Sequence, residues 1–291
     1  MKVVEITYRY IAEDASLRPR PDDAAAAVAR LDAGTRSIAA LLDNLAGGTG
    51  TARRIIPVDP RDLGLQGDGA APKQRPYAAV LGCSDARVPI ELIFNEGPND
   101  LFVVRVAGNG LGSEVLGSLK YAVDHLGDSL KLFVVLGHSG CGAVSAAVDV
   151  FLRPEAYLAV AQQHALRSIL DRVLVVVHAA AKRMASVFGP DVTQRPRYRD
   201  ALIEAAIVSN AALSAYTVQQ ELARLEAGSL RAVYGAYLIG EQRIWAPRCG
   251  NATCDGLAYP PSDRASFVDF AGAVMRSERI ASLLDLRGEP A

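Results

Sequence analysis

The sequence predicts an α/β fold, a central parallel-rich β-sheet flanked by helices, from three observations. Short apolar runs at 77–81, 101–106 and 132–136 have the length and composition of strands buried on both faces. Each run is followed by a segment with helical spacing, at 88–94, 113–126 and 141–152. The links between them are short, which favours parallel neighbours joined by right-handed crossovers.

The elements can be justified in chain order. Residues 22–45 read as an alanine-rich helix, with Ala27, Leu31, Ile38, Leu41 and Leu42 near helical spacing and Gly47-Gly48-Thr49-Gly50 ending it. From there to Pro76 the chain is rich in Pro, Gly and Asp and lacks periodicity. So long a connection suggests an N-terminal helical arm packing on a partner subunit. Residues 1–76 are therefore read as arm and helix, and 77–291 as the α/β core of what is overall one domain. Within the core, Pro89 suits the first turn of a helix. Ser113 is placed to cap the next helix and Gly127 to stop it. Residues 155–227 look mostly helical, broken by Pro190 and Pro196 around Gly189. Residues 230–239 form a further strand candidate and 266–286 a terminal helix.

Composition narrows the class. Half of the 291 residues are hydrophobic, 22% are charged and the net charge is −1, which suits a globular chain and gives no basic surface for nucleic acid or an anionic membrane. The N-terminus lacks the apolar stretch of a secretory signal, and no uncharged run approaches membrane-spanning length. Four cysteines in a chain this long do not make a disulfide framework. A cytoplasmic location is expected, where thiols stay reduced.

Two segments carry chemistry: Cys83-Ser84-Asp85-Ala86-Arg87 and His138-Ser139-Gly140-Cys141. Soft sulfur with imidazole is a ligand set that suits zinc over magnesium, calcium or manganese. Three protein ligands leave a fourth tetrahedral position open, as in catalytic zinc sites. His138 and Cys141 are three residues apart, so one tight turn can aim both at one ion. Cys83 follows the first core strand and His138 the third, and ligands of open α/β sheets gather outside the carboxyl ends of strands. Asp85 can accept a hydrogen bond beside the metal or swing in as a fourth ligand, and Arg87 can hold it off with a bidentate contact. These residues read as a zinc hydrolase or hydratase.

Further segments give a resemblance. Together with the two above, Phe102-Val103-Val104-Arg105-Val106-Ala107-Gly108-Asn109, Gly117-Ser118-Leu119-Lys120-Tyr121-Ala122-Val123 and Gly137-His138-Ser139-Gly140-Cys141-Gly142 resemble the β-class carbonic anhydrases, from Gln74 to about Val148. The resemblance implies reversible hydration of carbon dioxide to bicarbonate and a proton, by attack of zinc-bound hydroxide. It implies one zinc ion per chain held by Cys83, His138 and Cys141, with Asp85 and Arg87 as the catalytic dyad. Gln74, Phe102, Tyr121 and Gly142 match substrate-binding positions, of which Phe102 and Tyr121 line a small apolar pocket at a subunit interface. It also implies a homodimer or a dimer of dimers, with a small-molecule substrate and neither nucleic acid nor membrane as partner. The family segment often reads Arg-Asn-Val-Ala-Asn where this chain has Arg105-Val106-Ala107-Gly108-Asn109. The run Gly235-Ala236-Tyr237 lacks a tryptophan common after that glycine, so no allosteric bicarbonate pocket is assigned.

Other signals are set aside. Gly108-Asn109-Gly110-Leu111-Gly112 falls short of a dinucleotide loop and reads as a turn beside the metal site. His125, on an apolar helix face, His164 and His178 read as structural or surface groups, and Cys249 and Cys254 as two incidental thiols. Two alternatives keep the fold: hydrolysis of carbon disulfide or carbonyl sulfide, and a zinc scaffold or bicarbonate sensor without turnover.

Overall fold

The computed structural model describes residues 2–10, 19–46, 50–65, 71–158, 163–225, 227–247 and 255–285. At the N-terminal end, β1 (Lys2–Tyr10) pairs in parallel with β2 (Gly50–Val58), with α1 (Ala24–Ala46) between them in sequence. The sequence suggested an irregular arm over most of 47–76. β2 escapes that reading because its partner lies far upstream and its apolar end, Ile55-Ile56-Pro57-Val58, is short and interrupted by proline after two arginines. The apolar stripe of α1 lies on its own chain, with Ala27 and Leu31 fully buried against Tyr77 and Val80.

The central sheet holds β3 (Ala78–Gly82), β4 (Leu101–Arg105), β5 (Leu132–His138), β6 (Arg231–Leu238) and β7 (Arg243–Trp245). Their order is β4-β3-β5-β6-β7, with the first four parallel and β7 turning back antiparallel on β6. Side chains alternate between two cores. In β5, Phe133 and Val135 face one core, while Leu132, Val134 and Leu136 face the other. Burial on both sides is why these strands read as unbroken apolar runs.

Helices α3 (Ser113–Leu126), α4 (Gly142–Leu152), α5 (His164–Phe188), α6 (Tyr198–Arg224) and α7 (Arg264–Arg276) build the first core. The short α2 (Ile90–Ile93) joins α1 on the other face through Ile90 and Ile93. α6 lies against β5 and β6, with Ile207 and Ala211 packed over Gly137, and Ala205, Ala206, Ala211, Ala212 and Ala215 are all fully buried. It is long and apolar enough to cross a membrane, yet 78% of its apolar window is buried inside the protein.

Two details differ from expectation. Ser113 is the first residue of α3 rather than its cap, a position held by Gly112 without a side-chain bond. The expected terminal helix breaks at Ser277, whose hydroxyl accepts from Ile280 N and starts α8 (Glu278–Leu283). Serine competes for backbone donors in this way, which is why it favours caps over helix interiors.

Candidate metal centre

β3 and β5 are adjacent and parallel, but the chain leaves them toward opposite sides, to β4 and to β6. That divergence opens a crevice at the carboxyl ends of the two strands, the usual place for a site in an open α/β sheet. Gly82 pairs with Leu136. Cys83 therefore emerges level with Gly137, and His138 stands one residue further along the lip. Ser139 and Gly140 then turn the chain so that Cys141 becomes the residue preceding α4. Gly140 has φ +64°, a left-handed conformation that favours glycine. The turn is pinned to β6: Ser139 N donates to Tyr237 O at 2.9 Å, and Ser139 Oγ accepts from Ile239 N at 3.0 Å.

Cys83, His138 and Cys141 are all buried, with their ligand atoms within 4.8 Å of one another. The two sulfurs are 3.9 Å apart and both cysteines are free. A disulfide needs about 2 Å, whereas the sulfur–sulfur edge of a tetrahedron with 2.3 Å metal–sulfur bonds is about 3.8 Å. His138 Nδ1 lies 3.1 Å from Ser139 O, which fixes the proton on Nδ1. Nε2 is then a bare lone pair, fully buried and without a hydrogen-bond partner. An orphaned imidazole nitrogen facing two sulfurs is chemically the donor set of a zinc ion. The sulfurs also act as one acid pair. A hydrogen bond from Cys141 pulls Cys83 far below the usual thiol range, and the same contact with burial pushes Cys141 up.

Asp85 and Arg87 form a tight fork beside this cluster. Arg87 Nε donates to Asp85 Oδ1 at 3.0 Å, Nη2 to Oδ2 at 2.7 Å, and its backbone N to Oδ1 at 2.9 Å. The guanidinium contact keeps the Asp85 carboxyl well below the ordinary carboxylate range. Asp85 Oδ2 also stands 3.8 Å from His138 Nε2, so the carboxylate faces the point on which the three ligand atoms converge.

Further groups fix the loop carrying Cys83. Gly108 N donates to Cys83 Sγ at 3.3 Å, and Asn210, buried on α6, donates to Gly108 O at 3.0 Å. The glycine-rich segment after β4 is thus a turn wrapped around the thiolate. Arg105 Nε donates to Cys83 O at 2.9 Å and Arg105 Nη2 to Asp85 O at 2.5 Å. The sequence reading assigned no such roles to Arg105 or Asn210. Glu204 also escaped it, although a carboxylate inside the apolar run 201–208 is a legible anomaly.

The residues implied for the substrate pocket are more dispersed. Gly142 begins α4 next to Cys141, and Gln74 is exposed in the segment before β3. Phe102 is half-buried in β4, three residues before the strand's carboxyl end. Tyr121 is 46% exposed on α3 and stacks on His125 at 4.3 Å. His125, expected on an apolar face, is exposed, as are His164 and His178. Cys249 and Cys254 lie outside the described residues.

An open, parallel-rich α/β sheet with a buried Cys-His-Cys cluster at its switch point defines a protein with a candidate metal site. A family model described as carbonic anhydrase matches residues 78–240, more than half of the chain, including Cys83, Asp85, Arg87, His138 and Cys141. The chain belongs to the β-class carbonic anhydrase family. It is 52% identical over 80 residues to carbonic anhydrase 2 of Mycobacterium tuberculosis (strain ATCC 25618 / H37Rv), covering 28% of this chain and 38% of that protein. It is 45% identical over 82 residues to a carbonic anhydrase of Pseudomonas aeruginosa, covering 26% and 36%. The match thus spans less than two-fifths of these curated relatives. Among solved structures, the β-carbonic anhydrase CcaA gives a TM-score of 0.46 at 24% identity, over 65% of this chain and 85% of that one. The β-carbonic anhydrase CafA of Aspergillus fumigatus gives 0.44 at 19%, over 83% and 89%.

Proposed function

We propose that this chain catalyses the reversible hydration of carbon dioxide to bicarbonate and a proton, with one zinc ion held by Cys83, His138 and Cys141. The observation that carries the reading is the buried convergence of two sulfurs and the unpartnered His138 Nε2 beside the Asp85–Arg87 fork. Zinc bound there supplies the Lewis acidity that makes water a nucleophile near neutral pH. The chain's own groups do the rest. Ser139 O fixes the tautomer of His138 and so aims Nε2. Arg87 keeps Asp85 ionised and engages both of its oxygens, which hinders the carboxylate from entering as a fourth ligand. Asp85 Oδ2, which accepts from Arg87 on one side, has a second lone pair to accept a hydrogen bond from the attacking water and orient it.

Gln74, Phe102, Tyr121 and Gly142 are proposed to receive the substrate, with Phe102 and Tyr121 completing an apolar pocket across a subunit boundary. A homodimer or dimer of dimers fits the exposed Tyr121 and the exposed Val4, Tyr8, Tyr10 and Ile55 of the N-terminal ribbon, where the arm would meet a partner. The free thiols Cys83 and Cys141 fit a reducing cytoplasm.

Stopped-flow carbon dioxide hydration, with zinc content measured on the same sample, tests the reading. Near one zinc per chain with hydration that Cys83→Ser abolishes is the expected result. Zinc without hydration at any pH up to about 9 would overturn it.

A further inference from the structure

The turn between the metal ligands His138 and Cys141 is held from both sides at one residue. In front, Gly140 O accepts from Arg87 Nη2 at 3.4 Å. Behind, Gly140 N donates to Glu204 Oε1 at 3.3 Å. Glu204 sits on α6 with its side chain 11% exposed, in a helix stretch that is otherwise apolar. Its second oxygen, Oε2, accepts from Arg279 Nε on α8 at 2.7 Å. Arg279 in turn reaches Glu241 Oε1 at 2.7 Å, and its guanidinium carbon lies 5.8 Å from the centre of the Trp245 ring. Apolar packing does not close the back of the turn: a cavity of about 1010 Å³ opens there, with Gly140, Glu204, Glu241, Trp245 and Arg279 in its wall. A glycine at φ +64° beside a cavity has no side chain of its own to fix it.

We infer that Glu204, held by Arg279, is a positioning residue that sets the His138–Cys141 turn and thereby the bite of the metal centre. The inference rests on the zinc reading above and deepens it. A charged acceptor is suited to the task, because hydrogen bonds to an ionised group are about twice as strong as neutral ones. Arg279 engages the second oxygen, so that the carboxylate stays aimed at Gly140 instead of turning into the cavity. The chain of contacts Arg87–Gly140–Glu204–Arg279 links the catalytic fork to the C-terminal helix, which no metal-ligand motif would reveal.

The test reads the metal directly. Zinc affinity is measured by competition with a chromophoric chelator, and the thiolate-to-metal absorption band is recorded on cobalt-substituted protein, with melting curves for each variant. Glu204→Ala should bind zinc about tenfold more weakly and shift the cobalt band, the size of effect found when groups orienting metal ligands are removed. Glu204→Gln keeps an acceptor for Gly140 N–H and should recover most of that loss. Glu241→Ala should match the wild type. A folded Glu204→Ala with wild-type zinc affinity and cobalt spectrum would overturn the inference. So would equal losses in the Ala and Gln variants that track only their melting temperatures. Should Glu204→Ala fail to fold, Arg279→Met carries the test: weakened zinc binding supports the brace and unchanged binding overturns it. Wild-type protein that takes up neither zinc nor cobalt would overturn the metal reading and the brace together, and is told apart from failure of the brace alone by the wild-type sample.

Discussion

Asp85 and Arg87 lie two residues apart, yet their value is geometric rather than stabilising. Arg87 is 59% exposed, and ion pairs so open to solvent add little to stability. What the fork does is point one carboxylate oxygen at the metal centre while holding it charged. Asp85→Asn and Arg87→Ala are therefore expected to keep zinc and the melting temperature but to lose about 10²-fold in hydration rate. Wild-type turnover in either variant would remove the fork from the mechanism. The pH dependence separates the same groups. Asp85 titrates well below the ordinary carboxylate range, so it stays ionised throughout the neutral region. Two thiolates would offset the charge of a zinc ion bound there and leave it a weaker Lewis acid, so hydration should rise between about pH 7 and 9. Asp85→Asn should lower that curve without changing its shape. A flat wild-type profile would count against a two-thiolate centre.

At the scale of elements, α1 is tied to the sheet by a buried charge as well as by Ala27 and Leu31. Arg30 engages both oxygens of Glu96, whose side chain is 1% exposed, and stacks 4.6 Å from the centre of the Tyr77 ring. Arg30→Ala removes the guanidinium from a buried carboxylate and should destabilise the protein by about 3–5 kcal/mol in urea unfolding. A loss under about 1 kcal/mol would mean that α1 is held by its apolar stripe alone. Between α4 and α6, Arg199 donates to both oxygens of Asp149 at 2.7 and 2.8 Å and lowers its pKa. A carboxyl with a lower pKa in the folded state adds stability above its unfolded value of about 4, and that stability is lost as pH falls through the folded value. Both groups are partly exposed, so Asp149→Asn should cost at most about 1 kcal/mol at pH 7. The difference from wild type should vanish in acid. A difference that persists there would assign the effect to packing.

For the whole molecule, the candidate metal centre joins β3, β5 and α4, so metal binding there would be linked to folding. Removing zinc with a chelator should lower the melting temperature by several degrees and restoring it should reverse the change. An unchanged melting curve would mean that the three ligands are preset by the fold without help from the ion. Assembly belongs to this scale too. The exposed apolar residues of the β1–β2 ribbon and Tyr121 on α3 are expected to be covered in a dimer or larger assembly, which sedimentation at micromolar concentration would register. A monomer at all concentrations would leave the proposed pocket of Phe102 and Tyr121 incomplete.

The sequence by itself determined the parallel sheet and the ligand set. Strands buried on both faces read as unbroken apolar runs, and a Cys-x-Asp-x-Arg segment with a distant His-x-x-Cys has chemistry legible from residue type and spacing alone. The sequence also placed Cys83 and His138 on one edge of the sheet, but only the tertiary structure decided that their strands, β3 and β5, are direct neighbours. It also decided that β1 finds β2, that α1 covers its own sheet, and that Arg105, Asn210 and Glu204 reach the metal loops. Each of these contacts joins residues far apart along the chain. Local periodicity reports which face of an element is apolar, whereas the partner of a polar side chain is set by where the packed elements bring its hydrogen-bonding atoms.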